Sequence, residues 1–180
     1  MNSSQLRRAR LATAGLSGAA LVAAHLVWLA PSASAATTAS FSVTGGVLTV
    51  TGDSAANSIA ISRNAAGSIL VNGGAVAVAG VAPTVANTQL IQVFGLGGPD
   101  TLTLTETNGA LPRANLFGGA ADDVLTAGSG ADQLFGQAGN DTLSGRGGFD
   151  LLFGGTETDL LTGGGPVRRA AWLALGAQQC

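Results

Sequence analysis

Lysine and tyrosine are absent from this chain, and histidine and cysteine occur once each, as His25 and Cys180. His25 falls in the segment read below as a leader, so the remainder carries no imidazole. That excludes a Ser-His-Asp triad, a Cys-His pair and a His-ligated zinc site. A single cysteine excludes an intramolecular disulfide and leaves only pairing between chains. Charged residues make up 10% of the chain and aromatics 4%, too few large side chains for a thick core of bulky helices. Beyond residue 35, five arginines face ten Asp and Glu. A net charge near −5 argues against a nucleic-acid partner and in favour of cations.

What the chain does have is glycine, 28 residues in 180, about twice ordinary usage. A thin structure with glycine at regular turns suits that composition. The length allows one domain plus a processed leader. Residues 1–35 read as a secretory signal peptide: Arg7, Arg8 and Arg10 form a basic start, residues 11–30 carry no formal charge, and Ala33-Ser34-Ala35 offers small residues for cleavage after Ala35. The expected location is therefore secreted or extracellular, with membrane contact only through the leader. Arg7-Arg8 leaves the choice between the general and the twin-arginine export route open.

Residues 36–94 contain no catalytic motif. Phe41-Ser42-Val43-Thr44, Gly45-Gly46 and residues 47–51 read as alternating strands around a glycine turn. Further short strands are expected at 58–62, 68–72 and 89–94. This β-rich segment is either an early part of the architecture that follows or its cap. Two stretches in the chain foreshadow the later pattern. Residues 52–60 (GDSAANSIA) carry Asn57 where later units have Asp, and residues 95–103 (GLGGPDTLT) carry Asp100 and Leu102.

From Gly118 five nonapeptides follow without insertion: GGAADDVLT, AGSGADQLF, GQAGNDTLS, GRGGFDLLF and GGTETDLLT. Position six is always Asp (Asp123, Asp132, Asp141, Asp150, Asp159) and position eight always Leu (Leu125, Leu134, Leu143, Leu152, Leu161). Glycines at positions one, two and four are expected to allow φ > 0 and tight turns. The end of each unit is expected to form a short strand that sends its Leu inward. Stacking then gathers the Leu into a narrow core and the Asp into rows. Position nine adds a longer period: Phe117, Phe135 and Phe153 are eighteen apart, and Thr126, Ser144 and Thr162 alternate with them. Two nonapeptides per coil and two opposed sheets follow, one with an outer Phe row that the N-terminal segment or a partner is expected to cover. Between Thr103 and Gly118 the register slips by five residues; residues 109–117 still read as a unit, with Ala114 in place of Asp.

Rows of stacked carboxylates repel one another and call for a counter-cation. Glycine turns expose carbonyl oxygens beside them, so the donor set is all oxygen, a preference of hard cations and of Ca²⁺ over Mg²⁺ where geometry is irregular.

The pattern G-G-x-G-x-D-x-U-x resembles the haemolysin-type calcium-binding repeat of RTX proteins, a motif of this kind being a known sequence signature. The resemblance covers residues 118–162 and the outlier around Asp100. It implies an all-β fold, a parallel β-roll (β-solenoid) of nonapeptide repeats with two per coil, preceded by the β-rich segment. It implies Ca²⁺ as cofactor, held by Asp123, Asp132, Asp141, Asp150, Asp159 and Asp100, with carbonyls of Gly128, Gly130, Gly139 and Gly148 as co-ligands. Ala121, Ala127, Gln137, Arg146 and Glu157 depart from the glycine pattern, so the strongest sites are expected around Asp132, Asp141 and Asp150. The expected organisation is a signal peptide at 1–35, the β-rich segment or cap at 36–94, the repeats at 95–165 with their regular part at 118–162, and an irregular tail at 166–180. That tail, with Pro166, Arg168 and Trp172, is either a short capping helix or a truncated or frameshifted continuation. No catalytic residue is expected. The readings are an exported calcium-binding module, with calcium ions and a cell-surface or protein partner, a metal-independent surface solenoid, or an accessory piece of a larger secreted enzyme or toxin.

Overall fold

The computed structural model describes residues 36–165, so the expected leader at 1–35 and the tail at 166–180 lie outside the described residues. The fold is all-β, with a single 3-10 turn at Asn72–Gly74. Thirteen strands occur among the described residues: β1 (Thr38–Ser42), β2 (Val47–Thr51), β3 (Ser58–Arg63), β4 (Ile69–Val71), β5 (Val78–Ala79), β6 (Leu90–Gly97), β7 (Thr101–Thr105), β8 (Ala114–Ala120), β9 (Val124–Thr126), β10 (Gln133–Ala138), β11 (Thr142–Ser144), β12 (Leu151–Thr156) and β13 (Leu160–Thr162).

From β6 onward the chain alternates between two sheets. One has the order β12-β10-β8-β6-β2-β1-β5, the other β13-β11-β9-β7-β3-β4, and neither closes on itself. Within the repeats each strand pairs in parallel with the strand eighteen residues on: Val124 lies opposite Thr142, and Thr142 opposite Leu160. The same step sets Asn115 opposite Gln133 and Gln133 opposite Leu151. The expected slip is present as well, because Ile91 pairs with Ala114 and Thr101 with Val124, steps of twenty-three.

Alternation along each short strand explains the core. Leu116, Leu125, Leu134 and Leu143 are fully buried and Leu152 nearly so, all in one cluster drawn from both sheets. Three-residue strands such as β9 and β11 have one inward position each. The longer strands of the first part bury two large apolar side chains each: Leu48 and Val50, Ile59 and Ile61, Ile91 and Val93, Leu102 and Leu104.

Residues 36–94 extend both sheets. β2 and β3 continue the sheets in parallel with β6 and β7, with Val47 opposite Leu90 and Ser58 opposite Thr101. β1 and β4 then fold back antiparallel on β2 and β3, and β5 adds to the far side of β1 in parallel. The segment adds to the sheet edges and gives the Phe row its first member rather than a cover. Phe94, Phe117, Phe135 and Phe153 stack at centroid distances of 4.8, 4.9 and 5.0 Å, with ring planes within 6° of parallel. The rings shield one another, and each is half-buried on the outer face.

Candidate metal centre

Each Asp of the repeats stands at the turn that enters a strand. Its Oδ1 accepts a hydrogen bond from the backbone N–H of the corresponding residue one coil earlier. On one edge the bonds run Asn57 N–H to Asp100 (2.7 Å), Asp100 N–H to Asp123 (2.7 Å), Asp123 N–H to Asp141 (2.8 Å) and Asp141 N–H to Asp159 (2.9 Å). On the other edge Ala114 N–H donates to Asp132 (2.6 Å) and Asp132 N–H to Asp150 (3.0 Å). A carboxylate at position six thus serves as a rung between coils, which accounts for its fixed spacing.

The second oxygen differs from residue to residue. Oδ2 of Asp100, Asp123, Asp141 and Asp150 is buried with no hydrogen-bond partner. The whole residues Asp100, Asp123 and Asp141 are each 1% exposed. Buried acceptors without a partner are costly and rare. Burial pushes the Asp123 carboxyl up to about 7, with the negative charges of Asp141, Asp100 and Asp122 adding to it. Burial likewise raises Asp141 to about 6, helped by Asp159, Asp122 and Glu157, and Asp150 to about 6, helped by Asp132. Asp100 is also raised, chiefly by burial. Such a row is under-compensated in positive charge.

The orphan oxygens share one environment. Each points at the bare Cα of the glycine five residues earlier, and a methyl built there would collide with it: Gly95 with Asp100, Gly118 with Asp123, Gly136 with Asp141 and Gly145 with Asp150. The carbonyl oxygen of the position-one glycine one coil on converges on the same points, at 2.5 Å for Gly118 on Gly95, 2.9 Å for Gly136 on Gly118, 2.6 Å for Gly154 on Gly136 and 2.9 Å for Gly163 on Gly145. Carboxylate oxygens without a donor, crowded by carbonyl oxygens, fit a hard cation. Among the described residues no three His, Cys, Asp or Glu side chains converge, so main-chain oxygens must complete any such site.

Position one therefore needs glycine for space and not for its dihedral angle. Positive φ falls at positions two and four: Gly119 and Ala121, Gln137 and Gly139, Arg146 and Gly148, Gly155 and Glu157. This corrects the expectation of left-handed backbone at all three positions.

The expected co-ligand glycines lie in these turns. The carbonyl of Gly128 accepts from Gly147 N–H (3.1 Å), that of Gly130 packs against Gly148, and Gly139 N–H donates to Glu157 (2.6 Å). The carbonyls at the orphan oxygens are those of Gly118, Gly136, Gly154 and Gly163, and the sequence shows a glycine five residues before Asp100, Asp123, Asp141, Asp150 and Asp159. Asp132 is raised by burial, but two N–H donors, Ala114 and Gly128, oppose the rise. Asn57, at the far end of the first row, turns its amide nitrogen to Asp53 (3.1 Å) and to the Ala55 carbonyl.

A family model described as the RTX calcium-binding nonapeptide repeat (4 copies) matches residues 115–143 and, overlapping them, 135–165. Residues 115–165 thus carry calcium-binding repeats of the RTX type, and calcium is the ion these repeats bind. Comparison with curated proteins and with solved structures gives no match.

Proposed function

We propose that this is an exported, non-catalytic module whose repeats form a parallel β-roll when calcium binds between successive coils. The observation that carries the reading is the set of four buried, partnerless carboxylate oxygens, each set against a position-one glycine and the next coil's carbonyl. Asp100, Asp123, Asp141 and Asp150 would hold the ion with the carbonyls of Gly118, Gly136, Gly154 and Gly163, and Asp159 would close the row at its open end. Bound calcium supplies the positive charge that the row lacks.

The chain's own residues explain why the fold depends on that charge. Each nonapeptide buries at most one large apolar side chain, its Leu, while fixing nine residues rich in glycine, whose ordering costs the most entropy. A ligand that binds only the ordered form stabilises it by mass action. Export follows from the composition of residues 1–35 and suits a compartment rich in calcium, where modules of this kind work with affinities of roughly 10⁻⁴–10⁻³ M.

Far-UV circular dichroism in chelator and then in millimolar calcium tests the reading. A gain of β signal is expected, and an unchanged spectrum refutes it. Asp rows with free oxygens disfavour the metal-independent solenoid.

A further inference from the structure

The repeat at residues 127–135 departs from its neighbours in three ways that share one cause. Its first residue is Ala127, fully buried, where the units at 95, 118, 136, 145 and 154 have glycine. At those glycines the point a methyl would occupy is taken by the Oδ2 of the following Asp. At Ala127 the methyl is there, so the oxygen of Asp132 cannot be. Accordingly Asp132 Oδ2 turns to accept from Gly128 N–H (3.1 Å) while Oδ1 accepts from Ala114 N–H (2.6 Å). Asp132 is 1% exposed, and both of its oxygens have partners.

The backbone follows the side chain. Gly128 and Gly130, at positions two and four, lack the positive φ found at those positions in the other four repeats. Glu106, in the residues that lengthen the preceding coil, fills the space above this turn. Its Oε1 stands 2.7 Å from where a Gly128 methyl would be and accepts from Leu111 N–H (2.8 Å). One coil earlier on this edge, Ala114 stands where a carboxylate would be.

We infer that the calcium sites are distributed unequally over the two edges of the stack, and that Ala127 closes the site Asp132 would otherwise form. Asp100, Asp123 and Asp141 give three consecutive open sites on one edge, and Asp150 gives one on the other. Asp132 is a rung between coils and not a calcium ligand. This rests on the reading of the open oxygen pairs as calcium sites.

The test is calcium stoichiometry of the full chain at saturation, by isothermal titration and by metal analysis after gel filtration in calcium. The unmodified chain is expected to bind four ions, one for each orphan oxygen. Asp141→Asn should lower the count by one, and Asp132→Asn should leave it unchanged. Ala127→Gly, which removes only the blocking methyl, should raise it by one. An unmodified chain that binds calcium, with Ala127→Gly adding no ion or Asp132→Asn losing one, overturns this inference alone. An unmodified chain that binds none overturns the calcium reading beneath it as well.

Discussion

Acidification should stabilise the calcium-free chain and weaken the calcium-loaded one. The sign follows from the direction of the shifts. Asp123, Asp141 and Asp150 have carboxyls raised from 3.8 to about 7, 6 and 6 in the fold. The folded state therefore holds protons that the unfolded chain has released. Stability from these groups is fully present below about pH 4 and is lost as pH rises through 6 to 7. At about 1.4 kcal/mol per pH unit, Asp123 alone contributes at most on the order of 4 kcal/mol before solvent screening reduces it, and Asp141 and the part-buried Asp150 contribute less. These are ceilings, because protonating one member of the row relaxes its neighbours. Even the first is a large part of the 5–15 kcal/mol that stabilises an ordinary domain. In chelator, circular dichroism should show more β signal at pH 5 than at pH 8, and urea should remove it at a higher midpoint. In millimolar calcium the order should reverse, as protons compete for the same oxygens. A calcium-free midpoint that is flat, or that rises with pH over this range, would show that these carboxylates are not buried against one another and would refute the reasoning.

Hydrogen exchange should be uneven along the chain. The core takes twelve residues from positions 39–104 and only five from 125–152, so in chelator the amides of β2, β3, β6 and β7 should stay protected while those of β10 to β13 exchange freely; uniform protection would contradict this. Leu143→Ala removes a fully buried side chain between two coils and should cost about 2–5 kcal/mol in calcium, read from the shift in urea midpoint. Gln137 holds φ at 87°, so Gln137→Gly should relieve left-handed strain and gain up to about 1 kcal/mol, visible as a higher melting temperature in calcium.

Much of the fold is legible because it is local and repeated. A nine-residue pattern prescribes the same turn and strand each time, so the Asp and Leu columns and the eighteen-residue Phe period point directly to the coil. The first part is harder to read. β2 reaches β6, and β3 reaches β7, across forty-three residues, and no repeat announces that step, yet it brings Asn57 into line with Asp100.

By itself the sequence determined the period, the two-sheet alternation, the inward Leu and an all-oxygen donor set suited to calcium. Only the tertiary structure decided which carboxylates have an oxygen to offer. Asp132 and Asp141 are the same residue at the same position of the same motif. One is saturated and the other is not, because the partners of each side chain lie on its own turn and one coil away. A single methyl at Ala127 changes that local space. Spacing along the chain specifies where a carboxylate stands, but its charge and freedom depend on what the adjacent coil and the residue five before it place against it.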